Sequence, residues 1–390
     1  MIFERKLAFV AGAGAMGQGI AQVLAQAGWD VRLFDNRPDA AARAHQSIAS
    51  AMDKLVGKGK VEPADAESVK NRIRAANSLQ EASGASLFIE AVIEDLAVKK
   101  KLFSEIEAIV GEQAILATNT SSLSVTSIAS ACTHPGRVVG VHFFNPAPLM
   151  PLVEVIPAVQ TAEGLALRLT DEVKAWGKIP VVVKDTPGFI VNRLARPFYG
   201  ESLRILEEGI LDIPGIDHAL KSLGGFRMGP FELMDLIGND VNYTVSETVW
   251  TQFYFDPRYR PSLIQRRMKE AGFLGKKSGR GYYDYSEHAA IPGPSGNEQV
   301  WNQVFMRVIS MLVNEAAEAL LLGVASASAL DLAMTKGVNY PKGLLAWGDE
   351  LGPERILACL DNLHSKYGDD RYRASALLRD RVASGMPLFG

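Results

Sequence analysis

The chain has 390 residues, 47% hydrophobic and 22% charged, with a net charge of −3, a composition that excludes a strongly basic nucleic-acid surface. Its two cysteines form no CxxC motif and its six histidines fall in no metal-ligand spacing, so neither a disulfide scaffold nor a metal centre is expected. No stretch of about 18 apolar residues offers a membrane span, and the leader-like opening MIFERKLAFV dissolves into glycines, so the protein is expected in the cytoplasm.

The length exceeds what one hydrophobic core usually serves, and two or three domains are expected. Leu7 to Val10 predicts a short strand, after which Gly12, Gly14 and Gly17 form GxGxxG around Ala13, Ala15 and Met16. Ile20, Val23, Leu24 and Ala27 then recur at helical spacing, Gly28 ends the helix, and VRLFD reads as a second strand closed by Asp35. Glycines in such a turn let backbone approach a pyrophosphate, and the helix N-terminus favours its charge. Asp35 suits the ribose hydroxyls and would repel a 2′-phosphate, which favours NAD over NADP; Arg37 beside it weakens that preference slightly. A turn in a glycine-rich protein is the alternative, but strand, helix and acid arrive in the order a dinucleotide site requires.

Residues 38–78 predict a helical pair, PDAAARAHQSIASAMDKLV and PADAESVKNRIRAA, joined by the basic turn GKGK. SLFIEAV, AILATN, VVGVHFF, LVEVI and IPVVVKD follow as apolar strands alternating with helical stretches, which implies a mostly parallel sheet covered on both faces. The first domain, with the helical pair as an arm, is therefore placed at 1–186. DTPGF breaks the chain, and from Ile190 the pattern is nearly all helical. A first helical domain is placed at 187–287, a linker HAAIPGPSGNE at 288–298, and a second helical domain at 299–390.

The second helical block repeats the first. Arg193/Arg307, Glu201/Glu315, Leu206/Leu320, Gly209/Gly323, Asp217/Asp331 and Ala219/Ala333 share an offset of 114. Pro230/Pro341 and Leu233/Leu344 share 111, which suggests a three-residue deletion between. Met306 of the second copy falls where the first has Asn192.

Chemistry-bearing residues gather at strand ends. In VHFFNPAPLMPLVEV, a hairpin centred near Pro148 would set His142 opposite Glu154, with Cβ atoms roughly 5 Å apart. A carboxylate beside an imidazole orients it and stabilises its cation, as a general base needs. The alternative is a histidine satisfied by backbone, with Glu154 at the surface. TNTSSL places Ser121 and Ser122 just beyond a strand, where open α/β sheets bind ligands; helix capping is the alternative for one of them. Asn192 lies early in a helix and could simply face solvent. Arg196, one turn later, is a candidate partner for a distal carboxylate on an acyl chain; an ordinary salt bridge is the alternative.

GAGAMGQGIA, IEAVIEDLAVKK, ATNTSSLSVTSIA, VHFFNPAPLMPLVEV, DTPGFIVNRL, GPFELMDLIG and GKKSGRGYYDY together resemble the L-3-hydroxyacyl-CoA dehydrogenase family, over essentially the whole chain and in family order. VNRLARPFYGES and VNYPKGLLAWGDELG look closest to the 3-hydroxyadipyl-CoA dehydrogenases of phenylacetate degradation. The resemblance implies a Rossmann-type NAD-binding domain followed by two tandem all-α C-terminal-type domains. It implies oxidation of an L-3-hydroxyacyl-CoA, 3-hydroxyadipyl-CoA or alternatively 3-hydroxybutyryl-CoA or a fatty-acid β-oxidation intermediate. His142 matches the catalytic base and Glu154 the carboxylate that positions it. Ser121 and Asn192 match residues that bond the reacting oxygen. Asp35, Glu94, Lys99, Ser121, Asn145 and Lys277 match NAD-contacting positions, and Lys58 a coenzyme A contact; a family serine on the same helix is here Ala51.

Two-copy relatives commonly carry a degenerate nucleotide-fold remnant before the second copy, for which the linker here is far too short. One-copy members pair two subunits through that domain, so the two copies are expected to pack on each other within this chain, and a homodimer is possible. Met306 implies that the second copy is structural. Two other classes share part of this pattern. The 6-phosphogluconate and 3-hydroxyisobutyrate dehydrogenases share the GxMG turn but use a lysine base, and some lens crystallins keep the fold without catalysis.

Overall fold

A computed structural model describes residues 3, 5–290 and 292–390. Met1, Ile2 and Glu4 of the leader-like opening, and Ile291 of the linker, lie outside the described residues. The chain divides into two compact units, Met1–Phe189 and Ile190–Gly390.

The first unit is built on one eight-stranded sheet, order β3-β2-β1-β4-β5-β6-β7-β8. Its strands are β1 Leu7–Ala11, β2 Asp30–Phe34, β3 Ile73–Ala76, β4 Leu87–Glu90, β5 Ile115–Thr118, β6 Val138–Phe143, β7 Leu152–Pro157 and β8 Ile179–Val182. Strands β1 to β6 run parallel, and β7 turns back antiparallel to β6. The central strands read as unbroken apolar runs because helices cover both faces, and β1, β4, β5 and β6 are buried at every residue. Helix Ala15–Gln26 lays Ile20, Val23 and Leu24 against this core, together with Ile48 and Met52 of helix Ala40–Gly57 and Val69 of helix Pro63–Arg72.

The helical reading of 38–78 runs too far. Helix Pro63–Arg72 stops where IRAA becomes β3, paired with β2 from Val31↔Ile73 to Phe34↔Ala76. Four residues are too few for periodicity to separate the two states, and sheet pairing with burial of Ile73 decides between them.

The second unit is helical, and its two halves superpose in register. Helices Ile213–Gly224 and Pro230–Ile237 answer to Ala327–Gly337 and Leu344–Leu351, so the offset of 114 continues unbroken. The expected three-residue deletion is therefore wrong. Pro230 corresponds to Leu344, not Pro341. The contacts make this plain: Asp217 accepts the amides of Phe231 and Glu232, and Asp331 those of Leu345 and Ala346. Gly229 and Gly343 correspond because each abuts its aspartate so closely that a Cβ would clash. One residue is lost later: Asp256, Arg258, Tyr259, Arg260 and Ser262 match Asp369, Arg371, Tyr372, Arg373 and Ser375 at 113.

The halves are tied by reciprocal buried ion pairs. Arg193 Nε donates to Glu315 at 2.6 Å, and Arg307 Nε to Glu201 at 2.6 Å. Tyr259 and Tyr372 hydroxyls complete the same carboxylates at 2.6 and 2.7 Å. Each contact and its mate exchange halves, the pattern a two-fold interface produces, here inside one chain. Among the described residues no helix is long and apolar enough to cross a membrane.

Candidate active site

The glycine turn joins β1 to helix Ala15–Gln26, and its three glycines differ in what surrounds them. A Cβ on Gly12 (φ +106°) would lie 2.3 Å from the Ala91 carbonyl oxygen, and one on Gly17 only 1.7 Å from that of Gly12. Both are needed for packing. A Cβ on Gly14 would meet nothing within 4 Å. Gly14 is the helix N-cap, no side chain caps this end, and no acid stands in the first turn. The uncapped amides thus face an open side at Gly14, Ala15 and Met16, the condition under which a helix end takes a phosphate.

Asp35 follows β2 and bends back to the same turn, accepting the Ala13 amide at 2.8 Å. Arg37 donates to it through Nε at 2.9 Å and Nη2 at 3.0 Å. The Arg37 guanidinium, opposed by partial burial, holds the Asp35 carboxyl at about 2. A fixed anion beside the glycine turn fits a dinucleotide ribose, so the residues present fit the cofactor.

A second cluster sits past the ends of β4 and β5. Glu90, fully buried, accepts Lys99 Nζ at 2.6 Å, Thr118 Oγ1 at 2.6 Å and the Val92 amide at 2.7 Å. Lys99, 1% exposed, also reaches Glu94 at 3.1 Å. Glu94 Oε1 receives the Thr120 hydroxyl at 2.7 Å, the Ser121 amide at 2.8 Å and the Ser122 amide at 3.0 Å. Burial opposes the charge of Glu94, but Lys99 and these donors outweigh it and bring the carboxyl to about 2. Ser121 therefore belongs to a turn wound about the Glu94 carboxylate. Neither Ser121 nor Ser122 caps a helix; that part falls to Ser124, whose hydroxyl accepts the Ser127 amide at 3.1 Å.

His142 and Glu154 are cross-strand partners on β6 and β7. Nδ1 lies 2.7 Å from Glu154 Oε2, with the side chains 7% and 0% exposed. Glu154 is not at the surface, which removes the alternative reading of this pair. An ionised carboxylate only accepts, so the ring proton on this side sits at Nδ1 and the lone pair at Nε2. Nε2 makes no hydrogen bond among the described residues. Phe144 and Phe189 flank the ring at 4.5 and 5.9 Å between centroids.

Sequence reasoning missed three supports of this site. Asn119 Oδ1 accepts the Phe143 amide at 2.8 Å, next to His142. Lys178 threads the hairpin loop, donating to the carbonyls of Ala147 at 2.5 Å and Met150 at 2.9 Å. Glu90 anchors Lys99. Only Glu90, an acid ending an apolar strand, carried a signal in the sequence.

The other candidates stand on other elements. Asn145 is exposed in the turn after β6, and Lys58 is exposed at the end of helix Ala40–Gly57. Asn192, Arg196 and Lys277 belong to the second unit. Asn192 is half-buried in helix Val191–Leu194. Lys277 is ion-paired with Asp240 at 2.6 Å. Arg196 is buried, with no acid paired to it among the described residues, so the ordinary salt bridge does not account for it.

Residues 7–186 match the 3-hydroxyacyl-CoA dehydrogenase NAD-binding domain, and residues 188–285 and again 304–387 the C-terminal domain of the same family. The chain belongs to the 3-hydroxyacyl-CoA dehydrogenase family. This dehydrogenase is an NAD-dependent enzyme, and its internal repeat is the family's C-terminal domain used twice. It is 36% identical to a 3-hydroxyadipyl-CoA dehydrogenase of Escherichia coli K12, with 98% of each chain covered. It is 41% identical to a probable 3-hydroxybutyryl-CoA dehydrogenase of Bacillus subtilis, covering 73% of this chain and 99% of the relative. The dehydrogenase superposes on a solved 3-hydroxybutyryl-CoA dehydrogenase from Escherichia coli K12 with a TM-score of 0.93 at 36% identity, covering 98% of this chain and 100% of that one.

Proposed function

We propose that the enzyme oxidises an L-3-hydroxyacyl-CoA to the 3-oxoacyl-CoA, with 3-hydroxyadipyl-CoA as its substrate, through His142 as general base. The observation that carries this reading is the buried contact of His142 Nδ1 with Glu154 at 2.7 Å, which leaves Nε2 to accept a proton. Nε2 takes the hydroxyl proton of C3, and Glu154 stabilises the resulting imidazolium across the strand pair. Bound NAD supplies the acceptor for the hydride that leaves C3. Ser121 and Asn192 donate to the oxygen as charge develops on it, a contact stronger in the transition state than in the ground state.

Gly12, Gly14, Ala15, Met16, Gly17 and Asp35 hold the dinucleotide, with Glu94, Lys99, Asn145 and Lys277 assigned to it by family resemblance. Lys58 is assigned to coenzyme A in the same way. The adipyl preference is supported by the Escherichia coli relative that matches over 98% of both chains. The Bacillus subtilis relative favours a second, short-chain reading, 3-hydroxybutyryl-CoA.

Replacing His142 by Gln tests the chemistry. Turnover measured as NADH formation should fall about 10²–10⁴-fold, the usual general-base contribution, while NAD affinity by protein fluorescence stays near wild type. Turnover within a few-fold of wild type would remove His142 from the role.

A further inference from the structure

Arg196 is one of three arginines lining a narrow recess in the second unit, with about 10 Å³ of free space and with Tyr199, Ser246 and Gln265 beside them. Its two companions are neutralised. Arg258 lies 3.3 Å from Glu318 and 3.7 Å from Glu315, and Arg260 lies 3.8 Å from Asp369. Arg196 has only neutral partners: Nε donates to the Asn192 carbonyl at 2.8 Å and Nη1 to the Ser246 hydroxyl at 3.0 Å. Its guanidinium lies 5.0 Å from the centre of the Tyr199 ring. Among the described residues no carboxylate pairs with it, although the side chain is 7% exposed. A cation so placed loses hydration, and no opposite charge offsets that loss.

The chain contains its own control for whether the fold needs this arrangement. Arg196, Asn242, Ser246 and Gln265 correspond in the second copy to Ser310, Ile356, Leu360 and Leu378 by the register established above. All four counterparts are fully buried. The same helices therefore close around a small hydroxyl and three aliphatic side chains. Only the copy that carries Asn192 builds this interior from an arginine, two amides and a serine. Folding does not explain the difference, and a ligand of negative charge does.

We infer that Arg196 receives the distal carboxylate of a dicarboxylic 3-hydroxyacyl-CoA and thereby sets the enzyme's preference for such substrates. The inference rests on the dehydrogenase reading above. Spacing supports it. Asn192, proposed to bond the C3 oxygen, and Arg196 are separated by one helical turn of about 5.4 Å. In an adipyl chain three carbon–carbon bonds, spanning roughly 4 Å, separate C3 from the terminal carboxyl carbon. A longer monocarboxylic chain would place methylenes against the guanidinium and gain nothing from it.

The test compares wild type with Arg196→Met, which keeps the aliphatic stem, and Arg196→Ser, which installs the second copy's residue. For each, kcat/KM is measured with NAD on 3-hydroxyadipyl-CoA and 3-hydroxybutyryl-CoA. The ratio of the two values, adipyl over butyryl, should fall about 10–100-fold in both variants, the scale of one lost charge-assisted bond. Equal proportional losses on both substrates would show that Arg196 only positions the Asn192 turn, and would overturn the inference. Should the variants fail to fold, wild type decides alone: adipyl-CoA should inhibit at least 10-fold more tightly than hexanoyl-CoA, and equal inhibition overturns it. A wild type active on the butyryl substrate but without preference for the adipyl one overturns the receptor and leaves the dehydrogenase reading standing. A wild type inert on both overturns the reading on which it rests.

Discussion

Gly14 and Gly17 stand three residues apart in one turn, yet a methyl group has opposite consequences at the two. At Gly17 it would overlap the Gly12 carbonyl at 1.7 Å, so helix Ala15–Gln26 must move off β1. At Gly14 it meets no protein atom. Gly17→Ala should therefore lower the melting temperature of the first unit, whereas Gly14→Ala should melt near wild type. Gly14→Ala should nevertheless bind NAD at least 10-fold more weakly, because the added methyl occupies the side the pyrophosphate approaches. Calorimetry and NAD titration read the two effects apart, and wild-type affinity in Gly14→Ala would sink the assignment. All three glycines are alike in the motif; their neighbours make them different.

At the scale of the element, the 120–122 turn is organised by Glu94. Its folded pKa of about 2 lies below the usual carboxylate value of 4.5, so its charge stabilises the fold above about pH 4.5. That contribution is lost as pH falls toward 2, when the carboxyl is protonated. Protection of the Ser121 and Ser122 amides, taken relative to the intrinsic exchange rate at each pH, should thus be high at pH 6 and fall as pH drops through this window. In Glu94→Gln, which cannot carry the charge, the same amides should exchange faster at pH 6 and lose the acid dependence. Unchanged protection in that variant would show that the backbone holds the turn unaided. The hairpin of β6 and β7 illustrates the other side of element-scale reasoning. Period-2 geometry sets His142 opposite Glu154 once the turn centre is guessed, because a one-residue slip would send either side chain to the other face.

Across the molecule, the two helical copies are joined by a pair of interactions that exchange partners. Arg307 serves Glu201 and, through Nη1 at 2.8 Å, Glu208 as well. Arg307→Met would leave the buried Glu201 with the Tyr372 hydroxyl at 2.7 Å and only the more distant Arg204 at 3.6 Å, and breaking one side of such a pair costs about 3–5 kcal/mol. The unfolding transition of the helical unit, followed by far-UV circular dichroism in urea, should shift by that amount. Adding Glu201→Gln should recover part of it, since the uncompensated charge is then gone. A loss confined to about 1 kcal/mol, unchanged in the double variant, would mean that solvent enters the pair. The family's C-terminal domain, matched twice in this chain, thus meets itself through residues a constant offset apart.

Local pattern was enough for much of this protein. Strand–glycine–helix–acid, alternating strands and helices, and a repeat at 114 are all written in short-range periodicity, where each residue's role depends on near neighbours. The β6–β7 register was legible for the same reason, being set by one tight connection. What local pattern left open were contacts that close over long separations. The four residues of β3 became a strand only against β2. The repeat register past Asp217 was settled by which amides its carboxylate meets, not by the matching prolines. Lys178 and Asn119 acquired their parts because the fold delivers carbonyls and an amide to them from distant segments. Arg196 shows the division most clearly: the sequence placed a cation one turn from Asn192, but only the packed interior left that cation without an acid, because burial is a property of everything that surrounds a side chain.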